Sequence, residues 1–271
     1  MKWITSLVLC LVFTASSQNI PVQKLPMATP TGVEVRPVLP GEIKDLSVDL
    51  VAIPGPGRHI EPTKPELDVV WLVLSGKGTL RANDKAYGLE GETIARAPAG
   101  WLVVIDVPPG EALYAVRLRR HLIEGDRAEL KKFPENNAAP YVKRFSECAP
   151  YREAIKSPKT VSRTLLPENY VPRMAVGTVE TTGPDTVGAH RHPMLEQLFL
   201  GLKDNDITVT ADDAKANLTP FSILHIPLGS NHGVEVSAGK KLYYVWMDFF
   251  MAKDGQQWLK MHQPVEPKKI P

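Results

Sequence analysis

The same punctuation occurs twice in this chain: an apolar run, a turn, a second short run, and then a Pro-x-Gly turn. Pro98-Ala99-Gly100 and Pro227-Leu228-Gly229 lie 129 residues apart, so each can belong to its own domain-sized unit. In the first unit, Val69-Val70-Trp71-Leu72-Val73-Leu74-Ser75 stops at Gly76, and Gly91-Glu92-Thr93-Ile94-Ala95 leads into the proline turn. In the second, the run from Gln197 to Leu202 stops at Asp204-Asn205-Asp206, residue types that favour turns. Apolar runs of this length between turn residues read as strands. The 25 prolines, set against few long amphipathic periods, point the same way. The expectation is an all-β chain made of two tandem units.

Two short segments of the second unit carry chemistry. Gly188-Ala189-His190-Arg191-His192-Pro193-Met194-Leu195-Glu196 is followed by Pro227-Leu228-Gly229-Ser230-Asn231-His232. Side chains two apart on a strand share a face, so His190 and His192 project together, and Glu196 has the same parity. His232 follows the Pro-x-Gly turn. Mixed nitrogen and oxygen donors suit a divalent first-row metal. Gln197 competes with Glu196 for the carboxylate's place. Parity favours Glu196, because Glu196, Leu198, Leu200 and Leu202 form a coherent apolar face, whereas Gln197's face would carry Lys203 inward.

The pattern H-x-H-x3-E, then a strand, then P-x-G-x2-H resembles the two consensus motifs of the cupins. The resemblance implies two tandem jelly-roll-like β-barrels, with His190, His192, Glu196 and His232 as metal ligands in the second. One departure is visible: the family's glycine at the end of the strand after the glutamate is replaced by Asp204-Asn205-Asp206. In the first copy the donors are missing. The acidic position falls on Val69, the position of His232 falls on Val103, and Thr63 and Pro65 stand where the paired histidines would be. His59 and Glu61 nearby read as a surface pair. The first half is therefore expected to be a structural or dimerising barrel.

Lys2, the apolar run from Ile4 to Phe13 and the small residues Ala15-Ser16-Ser17 read as a signal peptide cleaved before Gln18. That predicts export, periplasmic or secreted, and leaves Cys148 as the sole cysteine with no internal disulfide. The organisation expected is residues 1–17 as signal peptide, 18–140 as a degenerate barrel and 141–271 as the metal-binding barrel. Asp126 to Phe133 is expected to be a short helix between them, and the charged, proline-rich tail from Ala252 to Pro271 is expected to pack as an arm over one barrel or to stay partly ordered. The net charge of +2 implies no nucleic-acid or anionic-membrane partner.

Three histidines and a carboxylate leave positions open for a small oxygen-rich substrate on one divalent ion. Mn, Fe, Zn, Ni and Co are all compatible with these donors. Leu198, Leu200, Ile223 and Val234 are candidate wall residues. His225, on the strand before Pro227, and Arg173, on the strand before the histidines, are candidates for proton transfer and for holding a substrate carboxylate. Tyr243, Tyr244, Trp246 and Asp248 lie on a strand expected to close the barrel, with parity alone leaving open which of them face the metal. The reading is a metal-dependent enzyme, dioxygenase-like or directed at sugars or organic acids. The alternative is a metal-assisted binding protein without turnover.

Overall fold

The computed structural model describes residues 19–252, apart from 63 and 193. The expected signal peptide, Thr63 and the tail from 253 onward lie outside the described residues. The described chain is built almost wholly of antiparallel strands, as its turn-punctuated apolar runs require. No helix among the described residues is long and apolar enough to cross a membrane.

Each half is a pair of sheets. In the first, a six-stranded sheet runs in the order Tyr141–Arg144, Thr93–Ala97, Leu67–Ser75, Ala112–His121, Leu46–Pro54, Glu34–Pro37. It faces a four-stranded sheet in the order Gly57–Glu61, Val103–Val107, Lys77–Ala82, Lys85–Glu90. The second half repeats the plan. Its large sheet runs Val22–Lys24, Ser222–Ile226, Leu195–Gly201, Lys241–Phe250, Met174–Thr182, Val161–Leu166, Pro150–Tyr151. Its small sheet runs Asp185–His190, His232–Val236, Ile207–Ala211, Ala214–Leu218. The chain crosses the boundary expected at residue 140 in both directions: Val22–Lys24 pairs with Ser222–Ile226 in the second half's sheet, and Tyr141–Arg144 pairs with Thr93–Ala97 in the first half's.

The two large sheets are buried on both faces. Val69, Trp71 and Val73 point into the first barrel, while Val70, Leu72 and Leu74 enter a core shared with the second half. Phe199 points into the second barrel, while Leu198 and Leu200 join the shared core. A strand buried on both faces loses the alternation that normally marks its inner side. This fact decides where the functional side chains go.

The linker helix spans Glu124–Leu130, starting two residues earlier than the sequence pattern indicates and ending before Phe133. Pro134–Asn137 is a 3-10 turn, in keeping with its breaker composition. Both Pro-x-Gly turns need their glycine, since Gly100 and Gly229 sit at φ +85° and +75°.

Candidate metal centre

Three histidines converge at one end of the second barrel. The ligating nitrogens of His190, His192 and His232 all lie within 4.8 Å of one another. The ring centroids are 4.8 Å apart for His190 and His192, 4.4 Å for His190 and His232, and 5.3 Å for His192 and His232. Strand pairing places His190 directly opposite His232. A register shift between Val187 and His190 creates that opposition, and such an irregularity re-aims the side chains beyond it. His192 and His232 are buried and His190 is half-buried.

Backbone carbonyls set the tautomers. His190 Nδ1 lies 2.7 Å from the carbonyl of Gly188, and His232 Nδ1 lies 3.2 Å from that of Ser230. A carbonyl only accepts, so both Nδ1 atoms donate, which places the lone pair of a neutral imidazole on Nε2. Carbonyl-oriented histidines of this kind suit metal ligation. The donor set fits a divalent first-row ion, and the three side chains could hold one.

Glu196 is not brought to the histidines. It lies on the other face of its strand, where its Oε2 accepts a hydrogen bond of 2.8 Å from His225 Nε2. His225 Nδ1 donates to Glu42 Oε2, also at 2.8 Å. Burial opposes charge on this imidazole, but the two carboxylates outweigh it and raise the His225 pKa. The parity argument misplaced Glu196 because Leu198 and Leu200 face the shared core, not the second barrel's interior. The first half repeats the arrangement, with Asp68 and Arg96 at the places of Glu196 and His225. Gln197 therefore takes the inward position, as Val69 does in the first barrel.

Arg173 is also away from the histidines. Its Nε and Nη2 hold Asp126 at 2.8 and 2.7 Å, locking the linker helix onto the second half. Arg191 is exposed and lies 3.6 Å from Asp212. Of the expected wall residues, Val234 lines the cavity, whereas Leu198, Leu200 and Ile223 belong to the shared core.

The cavity beside the histidines measures about 390 Å³. Its wall includes Tyr151, Glu153, Lys156, Gln197, Phe199, Tyr244, Trp246 and Asp248. Thus Tyr244, Trp246 and Asp248 face the site, while Tyr243 faces the first half and donates to Glu92 at 2.7 Å. Trp246 packs over Gly177, where a Cβ would come within 2.3 Å of the indole. Gln197 Nε2 donates to Asp248 Oδ1 at 2.7 Å. Burial, reinforced by Glu153, pushes the Asp248 pKa up to about 7, against the opposing pull of Gln197 and Lys156. Lys156 is paired with Glu153 and donates to Ser162 Oγ at 3.1 Å; burial lowers its pKa. The sequence placed Asp248 on the closing strand. Its inward face follows from pairing with Gln197, which no local pattern reveals.

The first barrel holds an ionic network where the second has its histidines. Glu61 pairs opposite Val103, as His190 does opposite His232. The expected surface pair of His59 and Glu61 instead turns inward, with Glu61 buried at only 3% exposed and His59 half-buried. Arg117 bonds to Glu61 and, at 2.8 Å, to Asp49, with its guanidinium 5.7 Å from the Trp71 ring centroid. Burial opposes charge on Glu61, but His59 and Arg117 outweigh it and hold its pKa below the ordinary value.

Two sheets enclosing a histidine cluster, repeated once without the histidines, define a two-barrel protein of the cupin fold. No protein-family model matches the chain, and no curated protein matches it. Solved structures match along most of its length. A cupin 2 conserved barrel domain protein from Leptotrichia buccalis is 10% identical, with TM-score 0.59, covering 86% of this chain and 98% of that one. A variant of Bacillus subtilis oxalate decarboxylase is 13% identical, with TM-score 0.58, covering 90% and 79%. Hazelnut (Corylus avellana) vicilin is 11% identical, with TM-score 0.57, covering 84% and 85%. The likeness is one of fold, and it spans enzymes and storage proteins alike.

Proposed function

We propose that the second barrel is a metal-dependent enzyme centre acting on a small oxygen-rich molecule, in a protein exported after loss of residues 1–17. His190, His192 and His232 would hold one divalent transition ion. The observation that carries the reading is that Asp248, an acid–base group poised near neutrality, opens onto the same cavity as the three histidines. A storage role needs neither feature. A bound divalent ion would supply Lewis acidity toward a substrate oxygen. Asp248 would move a proton at its carboxyl oxygen, and Gln197 Nε2 fixes that carboxyl's orientation. Tyr244, Trp246 and Phe199 form the apolar wall that keeps water from competing.

Asp248→Asn should retain metal and fold while turnover of small oxygenated compounds falls by about 10²–10⁴-fold. The measurement is kcat alongside elemental analysis. Undiminished kcat in the variant would remove Asp248 from the mechanism. Metal-loaded wild type that binds such compounds without any turnover would favour the binding-protein reading.

The same residue sets a stability signature. In the folded chain Asp248 keeps its proton to about pH 7, whereas its ordinary pKa is 3.8. Between those values the unfolded chain releases a proton that the folded chain retains, so this group's contribution lowers stability as pH rises from about 4 to 7. After chelation, Asp248→Asn should therefore melt progressively higher than wild type over that window, by up to about 4 kcal/mol at pH 8, with the gap closing at pH 3. Melting curves across pH would show it.

A further inference from the structure

The cavity's hydrogen-bonding pattern narrows what it can take, given that it is the substrate site proposed above. Gln197 uses its Nε2 on Asp248, which leaves Oε1 buried without a hydrogen-bond partner among the described residues. Gln197 is only 6% exposed. A buried acceptor of this kind is costly unless a ligand brings it a proton. A carboxylate or phosphate dianion has none to give.

Charge points the same way. Among the described lining residues no arginine faces the cavity, and Lys156 is already paired with Glu153. Asp248 lies inside, and Glu168 stands exposed at the edge. Among the described side chains an anionic ligand would meet Asp248 and Glu168 and no uncommitted cation, so the bound ion alone would draw it in, while the buried acceptor at Gln197 would stay unsatisfied. The rest of the lining includes the aromatic side chains of Trp246, Tyr151, Tyr244 and Phe199. The cavity's size suits a small ring-bearing ligand.

We infer that this cavity takes an uncharged, ring-bearing molecule with neighbouring hydroxyl groups, one of which donates to Gln197 Oε1 while the ring lies against the aromatic wall. A site built to bond a hydroxyl discriminates strongly against ligands that lack it.

The test is calorimetric binding to the metal-loaded protein at pH 7 with two matched pairs of probes. Catechol is set against benzoate, and cyclohexane-1,2-diol against cyclohexanecarboxylate, so each pair keeps its ring. The expected result is that at least one diol binds tenfold or more tightly than its matched acid. Gln197→Met should lose tenfold or more of the diol affinity while the acids bind as before. Preference for catechol alone would identify a phenolic ligand, and for cyclohexanediol alone a sugar-like one; both support the inference. Acids binding as tightly as their diols, or no diol binding at all, would overturn it. The wild-type panel decides this even if the variant does not fold. Metal content is measured on the same samples. Full metal without diol binding sinks this inference and spares the metal centre, whereas diol preference in protein that cannot hold metal does the reverse.

Discussion

His232→Ala should purify folded and nearly free of metal, with affinity for a divalent ion at least about 100-fold below wild type. Removing a residue that merely orients a metal-bound histidine already costs 10–100-fold, and this substitution removes one of three converging imidazoles. The fold should survive because the core clusters beside His232, including Val209, Val234 and Phe199, are unaltered. Two comparison variants make the result specific. Val103→Ala, at the matching place in the first barrel, should leave metal content unchanged and cost about 1–3 kcal/mol through lost packing. Glu196→Gln should also keep its metal, since Glu196 bonds His225 on the far side of the strand. Elemental analysis and thermal melting of the three proteins decide the matter. Loss of metal in Glu196→Gln with retention in His232→Ala would overturn the assignment of the centre.

Arg96→Ala should destabilise the protein by about 3–5 kcal/mol, the usual cost of stranding one member of a buried ion pair. Arg96 and Asp68 are both fully buried and joined by two bonds, of 2.8 Å from Nε and 2.6 Å from Nη2. The guanidinium also donates to the carbonyl of Asn136 and to Asn137 Oδ1, each at 2.8 Å, tying the linker's 3-10 turn to the first barrel. Truncation leaves a carboxylate without its cation and frees the linker from the sheet. Replacing both partners together, with Asp68→Leu and Arg96→Met, should recover most of the loss, because no charge is then left buried alone. Denaturant titration would measure it. A double variant as unstable as Arg96→Ala would show that the linker contacts, not the charge, carry the effect.

The all-β character was legible from the apolar runs and their turns, and the tandem plan from the spacing of the two Pro-x-Gly turns. His190, His192 and His232 were legible as candidates from the H-x-H spacing and the Pro-x-Gly turn, although it is cross-strand pairing past a register shift that sets His190 opposite His232. Glu196, His225 and Arg173 were not. Their partners lie on distant segments: His225 for Glu196, Glu42 for His225 and Asp126 for Arg173. The first barrel's His59 and Glu61 looked exposed because Arg117, the group that neutralises Glu61 in the interior, lies 56 residues further on.

The sequence by itself determined the strands, their duplication and the candidate imidazoles, since each shows as a short local pattern of residues, in the case of the duplication one that occurs twice. Only the tertiary structure decided which side of each central strand is the inside. Packing one large sheet against the other buries both faces of Leu195–Gly201. With water excluded from both sides, hydrophobicity no longer distinguishes them, and the face bearing Leu198 and Leu200 went to the neighbouring barrel. That left Gln197, and through its strand partner Asp248, to meet the histidines.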